Sequence, residues 1–127
     1  MQRQILFLDS DPVYVELVKD LAFTKDFLVL AASDGTTAQR LLEAHTIDLI
    51  ISDVDTPVMH GISFHKHVRE DRRFYGIPFV FLTGTTDPEI LRYISSHPDV
   101  MLIRKRHVVS ELLGLLSRET LSAAHAS

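Results

Sequence analysis

Residues 48–61 read DLIISDVDTPVMHG, and the fold turns on this stretch. Leu49-Ile50-Ile51 is an apolar run short enough for a strand buried on both faces, and the polar segment after it holds Asp53, Asp55, Thr56, Pro57 and Gly61. A carboxylate therefore stands at the carboxyl end of a central strand, the edge of an open α/β sheet at which ligands bind. Pro57 and Gly61 shape a loop, and Ile62 onward reads as helix. An isolated Asp after a strand is ordinarily a turn or cap residue. The company Asp53 keeps along the chain argues for more.

Upstream, Ile5 to Leu8 is a short apolar run ending in Asp9-Ser10-Asp11-Pro12, which puts polar residues at a second strand's carboxyl end. Pro12 suits the first turn of a helix with Asp11 as its cap, and Val13, Leu17, Val18 and Leu21 recur at helical spacing behind it. Phe27 to Ala31 reads as a strand, and Ser33-Asp34-Gly35 opens a helix carrying Ala38, Leu41 and Leu42. Downstream, a polar helix follows from about Gly61 to Asp71. Pro78 to Leu82 is the fourth strand, ending in Thr83-Gly84-Thr85-Thr86, and Asp87-Pro88-Glu89 opens the next helix. Val100 to Ile103 is the fifth strand, running into Arg104-Lys105-Arg106, and Val108 to Leu116 carries the apolar spacing of a last helix. Strands alternating with helices predict an α/β fold, a doubly wound parallel five-stranded sheet with right-handed crossovers. The domain is expected to span residues 3–118, with 119–127 a flexible tail or the start of a linker.

A chain of 127 residues with 46% hydrophobic content has the size of one domain and can bury a normal core. The formal net charge of −4 implies no basic face and argues against direct nucleic-acid binding. With no cysteine there is neither a disulfide scaffold nor a thiolate metal site. The four-residue apolar run near the N-terminus is too short for a signal peptide or a membrane span, so a soluble, cytoplasmic protein is expected.

On this topology Asp9, Ser10, Asp11, Asp53, Asp55, Thr83 and Lys105 all fall on one edge of the sheet. Carboxylates, a hydroxyl and an ammonium together suit phosphoryl transfer to a carboxylate. Clustered acids offer oxygen ligands to Mg²⁺, cations neutralise phosphoryl oxygens, and one Asp is the nucleophile. Over nearly its whole length the chain resembles the receiver domain of two-component response regulators. The matching pieces are ILFLDSDP, DLIISDVDTPVMHG, PFVFLTG, and LIRK followed by an apolar helix. The resemblance implies a flavodoxin-like (βα)5 sheet of order 2-1-3-4-5 and a signalling domain that catalyses its own phosphorylation without being a turnover enzyme. It makes Asp53 the acceptor from a histidine kinase or phosphotransfer protein, with Thr83 and Lys105 on the phosphoryl oxygens and Gly84 leaving room beside them. Asp9, Asp53 and Asp55 would hold the Mg²⁺.

Three positions depart from the family pattern. Ser10 stands where a second acid usually ligates the metal, which lowers the expected Mg²⁺ affinity. Arg106 replaces the proline after the lysine, so a trans peptide is expected there, aiming Lys105 differently. Leu102 replaces the aromatic switch residue, which leaves Thr83 without an aromatic rotation to couple to. These departures support a rival reading, a pseudo-receiver that binds partners and is never phosphorylated. An aspartate-nucleophile phosphatase of the haloacid dehalogenase type is the remote alternative, and it lacks the second acidic pair such enzymes carry late in the chain.

His60, His65 and His67 are close in sequence, but 65 and 67 fall on different faces of a helix, so a solvated polar face is expected rather than a metal site. Arg104-Lys105-Arg106 is expected to flank an anionic site. Tyr93, Leu102 and the exposed side of the last helix are candidates for a partner or homodimer surface. The output partner or effector domain is unknown from these residues.

Overall fold

A computed structural model describes residues 2–54 and 61–126, and Asp55 and His60 lie outside them. Among the described residues the chain alternates β1 (Arg3–Leu8), α1 (Pro12–Phe23), β2 (Phe27–Ala32), α2 (Gly35–Ala44), β3 (Leu49–Ser52), α3 (Gly61–Glu70), β4 (Phe79–Thr83), α4 (Pro88–Ser95), β5 (Val100–Arg104) and α5 (Val108–Ala126). A single 3₁₀ turn, Lys105–His107, joins β5 to α5. The strands pair in parallel in the order β2-β1-β3-β4-β5, the doubly wound sheet the alternation predicts.

Every residue of β3 and β4 is buried, because helices cover both faces of the sheet. Alternate side chains divide between two cores. Ile5, Phe7, Leu49 and Ile51 pack toward α1 and α5, while Leu6, Leu8, Ile50 and Phe81 pack toward α2, α3 and α4. Each such side chain contributes about 1.5–3 kcal/mol of burial, which forbids a register slip that would exchange the faces. Local capping fixes where the helices begin. Asp11, Asp34 and Asp87 accept from the backbone N–H of Val13, Thr37 and Glu89 at 2.9, 2.8 and 2.9 Å, and Pro12 and Pro88 each open a first turn.

Three features differ from the sequence pattern. Val13 is 71% exposed, and the inward stripe of α1 starts one residue later, at Tyr14. The backbone of α5 stays helical through Ala126, beyond the apolar run that marks the helix in sequence. His65 is buried, not part of a solvated face. Gly61, Phe64, His65 and Val68 form the inward stripe of α3, and both ring nitrogens of His65 have partners. Nδ1 lies 2.8 Å from the Tyr93 hydroxyl and Nε2 lies 3.1 Å from Asp99 Oδ2, which Arg69 Nε also reaches at 2.6 Å. The ring meets Phe79 edge-on at 4.8 Å, so an apolar wall and two polar contacts accommodate it together. His67 is partly exposed, and among the described residues no three or more His, Asp or Glu side chains are gathered as metal ligands, so the α3 histidines form no metal site.

Candidate active site

Strand register assembles the site. Leu8 of β1 pairs with Ser52 of β3, so Asp9 and Asp53 leave the sheet side by side, and the Asp53 N–H donates to Leu8 O at 2.8 Å. Ser52 is aligned with Phe81 of β4, which brings Thr83 out at the same edge. Thr83 is aligned with Arg104 of β5, and the next residue is Lys105. Of the residues singled out in sequence, the fold thus brings Asp9, Asp53, Thr83 and Lys105 to one edge. Asp11 is committed to capping α1, and Ser10 is exposed beside Asp9.

Lys105 joins the two carboxylates. Its Nζ lies 3.3 Å from Oδ2 of Asp9 and 3.3 Å from Oδ2 of Asp53. The Lys105–Arg106 peptide is trans, yet the ammonium still points into the acidic site. The remaining oxygens are oriented by backbone donors, Asp9 Oδ1 by the Asp11 N–H and Asp53 Oδ1 by the Val54 N–H, each at 2.8 Å. Asp9 Oδ2 is buried and has the ion-pair contact with Lys105 but no aligned hydrogen-bond donor. Burial pushes the Asp9 carboxyl up, the Asp11 N–H pulls it back, and the Asp53 charge adds to a net rise that Lys105 only partly opposes. Burial alone would lower the Lys105 ammonium, but Asp53 and Asp9 outweigh it and hold the group above its usual value.

Thr83 is buried, and its Oγ1 accepts from the Thr85 N–H at 3.0 Å, which engages a lone pair and leaves the hydroxyl proton for another acceptor. Open space surrounds Gly84. Three further residues shape the site: Arg104 and Gly61, which the sequence places beside an anionic site and in a loop without showing their contacts, and Tyr14, which the sequence pattern does not single out. Arg104 reaches from β5 to donate to the Thr85 carbonyl at 3.0 Å and tethers the loop after β4. The Tyr14 ring lies over Lys105 Nζ, 4.5 Å from its centroid. Gly61 abuts the backbone of Asp53 so closely that a side chain would collide with it. The inward spacing of Tyr14, Val18 and Ala22 is the available signal for Tyr14; the Arg104 contact crosses from β5 to the loop after β4, and that of Gly61 depends on how α3 folds back on the end of β3, so neither is written in local spacing.

The model of the response regulator receiver domain matches residues 5–115. The chain belongs to the response regulator receiver family. It is 38% identical over 92 residues to the response regulator Rre1 of Synechocystis, covering 70% of this chain and 40% of that protein. It spans less than half the length of the curated relatives it matches. The chemotaxis response regulator CheY4 of Vibrio cholerae superposes with a TM-score of 0.82 at 28% identity, covering 93% of this chain and 98% of that one. The receiver domain of a sensor histidine kinase from Pseudomonas aeruginosa, solved with a magnesium ion coordinated in its active-site cleft, shares the fold with a TM-score of 0.82 at 21% identity, covering 94% and 98%. The chain is therefore a receiver domain of two-component signalling, a family of signalling domains that pair with histidine kinases or phosphotransfer proteins. Aspartate phosphorylation and Mg²⁺ binding are typical of that family. No helix among the described residues is long and apolar enough to cross a membrane.

Proposed function

We propose that Asp53 is the phosphoacceptor of this receiver domain, taking its phosphoryl group from the phosphohistidine of a partner kinase or phosphotransfer protein. The observation that carries this is the ammonium of Lys105 held 3.3 Å from a carboxylate oxygen of both Asp9 and Asp53 at the end of the central strands. A cap or a structural ion pair would need one carboxylate, and burying two against one cation is costly unless the site awaits more positive charge. An Asp53 oxygen forms the O–P bond as the P–N bond of the phosphoimidazole breaks, with the imidazole nitrogen keeping the electron pair. Lys105 neutralises a phosphoryl oxygen, and Thr83 donates its hydroxyl proton to another.

The donor set fits Mg²⁺: Asp9 Oδ2 is a buried, otherwise unmatched anionic oxygen next to Asp53, and hard carboxylate oxygens with waters are what this ion takes. Asp9 and Asp53 would hold it, with Asp55 as the third expected ligand. The ion supplies charge neutralisation of the phosphoryl oxygens. With Leu102 half-buried in the core beside α4, output runs through the Thr83 loop and α4 by a smaller repacking than an aromatic rotation. The unit is taken as residues 3–118, with 119–127 a tail or the start of a linker. Cytoplasmic placement, autocatalysed phosphorylation without turnover of a substrate, and a partner or homodimer surface along Tyr93, Leu102 and α5 complete this reading.

Ser10 favours one rival, the unphosphorylated pseudo-receiver, because it is exposed and brings no carboxylate to the edge. Incubating the chain with acetyl phosphate and saturating Mg²⁺, then locating the label by mass spectrometry, separates the two. Stoichiometric label on Asp53, abolished in Asp53→Asn, is expected. An unlabelled wild type would establish the pseudo-receiver.

A further inference from the structure

We propose that Tyr14 is a positioning residue for phosphoryl transfer, its ring face holding the Lys105 ammonium in its aim at Asp53. The inference rests on Asp53 being the acceptor. Lys105 begins a 3₁₀ turn with a trans peptide to Arg106, so no rigid ring in the following residue steers its long side chain. Something else must select one direction among the many rotamers a lysine samples. Its ammonium has three N–H groups; two carboxylate oxygens, on Asp9 and Asp53, lie 3.3 Å away, and the Tyr14 ring lies over Nζ at 4.5 Å. A cation over an aromatic face is attracted to the negative side of the ring quadrupole, and the ring also keeps water off that side of the charge.

The placement of Tyr14 is not incidental to the site. The Asp11 N–H donates to Asp9 Oδ1, and Asp11 caps α1, so Asp9 and the first turn that carries Tyr14 are held as one unit. The body of Tyr14 packs against the core between α1 and α5, while Val13 beside it points to solvent. The carboxylate that pairs with Lys105 and the ring that covers it therefore keep a set separation. Lys105 can shift from the two carboxylates toward a phosphoryl group on Asp53 while the ring stays over it. An aliphatic side chain at position 14 would exclude water but would not attract the cation; phenylalanine would do both.

The test compares wild type, Tyr14→Phe and Tyr14→Leu in the full chain, each also in a Lys105→Met background. Initial rates of acetyl phosphate labelling are measured across donor concentration, along with the proton shifts of the Lys105 ε-methylene. Tyr14→Phe is expected to label within about twofold of wild type, and Tyr14→Leu about fivefold more slowly at saturating donor, the weight of one partly buried cation–π contact. The Lys105 ε-methylene should be ring-shifted upfield in wild type and Tyr14→Phe and lose that shift in Tyr14→Leu. In the Lys105→Met background the residual rate should not respond to Tyr14→Leu. Equal rates for wild type and Tyr14→Leu would overturn the proposal, as would Tyr14→Phe as slow as Tyr14→Leu, or a Tyr14→Leu defect that persists without Lys105. A wild type that takes no label sinks the Asp53 assignment and this inference with it. A labelled wild type indifferent to Tyr14→Leu sinks this inference alone.

Discussion

Gly61 is seated against the backbone of Asp53. A Cβ at position 61 would run into the Asp53 carbonyl oxygen and come within 2.9 Å of Ser52 Oγ. That hydroxyl itself donates to the Asp53 carbonyl at 2.8 Å, and the Gly61 N–H donates to Val54 O at 3.1 Å. The first turn of α3 is thus packed onto the peptide that carries the proposed acceptor carboxylate, and only a hydrogen side chain permits it. Since backbone cannot yield as a flexible side chain does, Gly61→Ala should cost about 1–3 kcal/mol of stability. It should also slow labelling of Asp53 by displacing it. Urea unfolding and phosphodonor labelling of the same variant check both; unchanged stability would show that α3 shifts at no cost.

Ser10 brings no charge to the edge, and Asp9 and Asp53 are the carboxylates that the described structure places there. Ser10→Asp should tighten Mg²⁺ binding about tenfold or more, the weight of one charge-assisted contact of about 1.5 kcal/mol. A Mg²⁺ titration followed by the amide shifts of residues 9–11 and 53 reads the affinity directly, without any phosphoryl donor. The Mg²⁺ needed for labelling should fall in parallel. Superimposable titrations of the two forms would show that position 10 does not limit the metal.

His65 predicts an acid limb of stability. Burial lowers its basicity below the ordinary value of 6.5; Asp99 opposes that shift, and Arg69 and His97 add to it. The Asp99 carboxylate only accepts, so the neutral ring carries its proton on Nε2 and accepts from the Tyr93 hydroxyl at Nδ1. Below about pH 6.5 the unfolded chain binds a proton that the folded ring resists, so the contribution is full above that pH and is lost on acidification. Denaturant midpoints at pH 7.5 and 5.5 should fall more in wild type than in His65→Gln. Equal losses would mean that other groups carry the acid limb.

Some of this protein is legible in its sequence alone. The alternation of short apolar runs with helical stripes specified the α/β fold, and Asp11, Asp34 and Asp87 marked helix starts. Such signals are local: a cap bonds a backbone N–H two or three residues on, and periodicity follows from the geometry of one element. The placement of Asp53 at the end of β3 was legible for the same reason, since a strand's end is written in its own residues.

Contacts between distant parts of the chain are another matter. His65 looked solvated because its polar partners, Tyr93 and Asp99, lie on α4 and just before β5, and a buried imidazole with both nitrogens satisfied is invisible in the spacing of α3 alone. Val13 and Tyr14 are adjacent and both suit a helix, and only packing against α5 decided that the tyrosine turns inward. The trans peptide after Lys105 suggested a different aim, whereas the ammonium meets Asp9 and Asp53 after all. Its aim follows from the combined register of β1, β3, β4 and β5 and from a ring on α1. These are distances summed across strands and helices, which no single segment encodes and which exist only once both cores have closed.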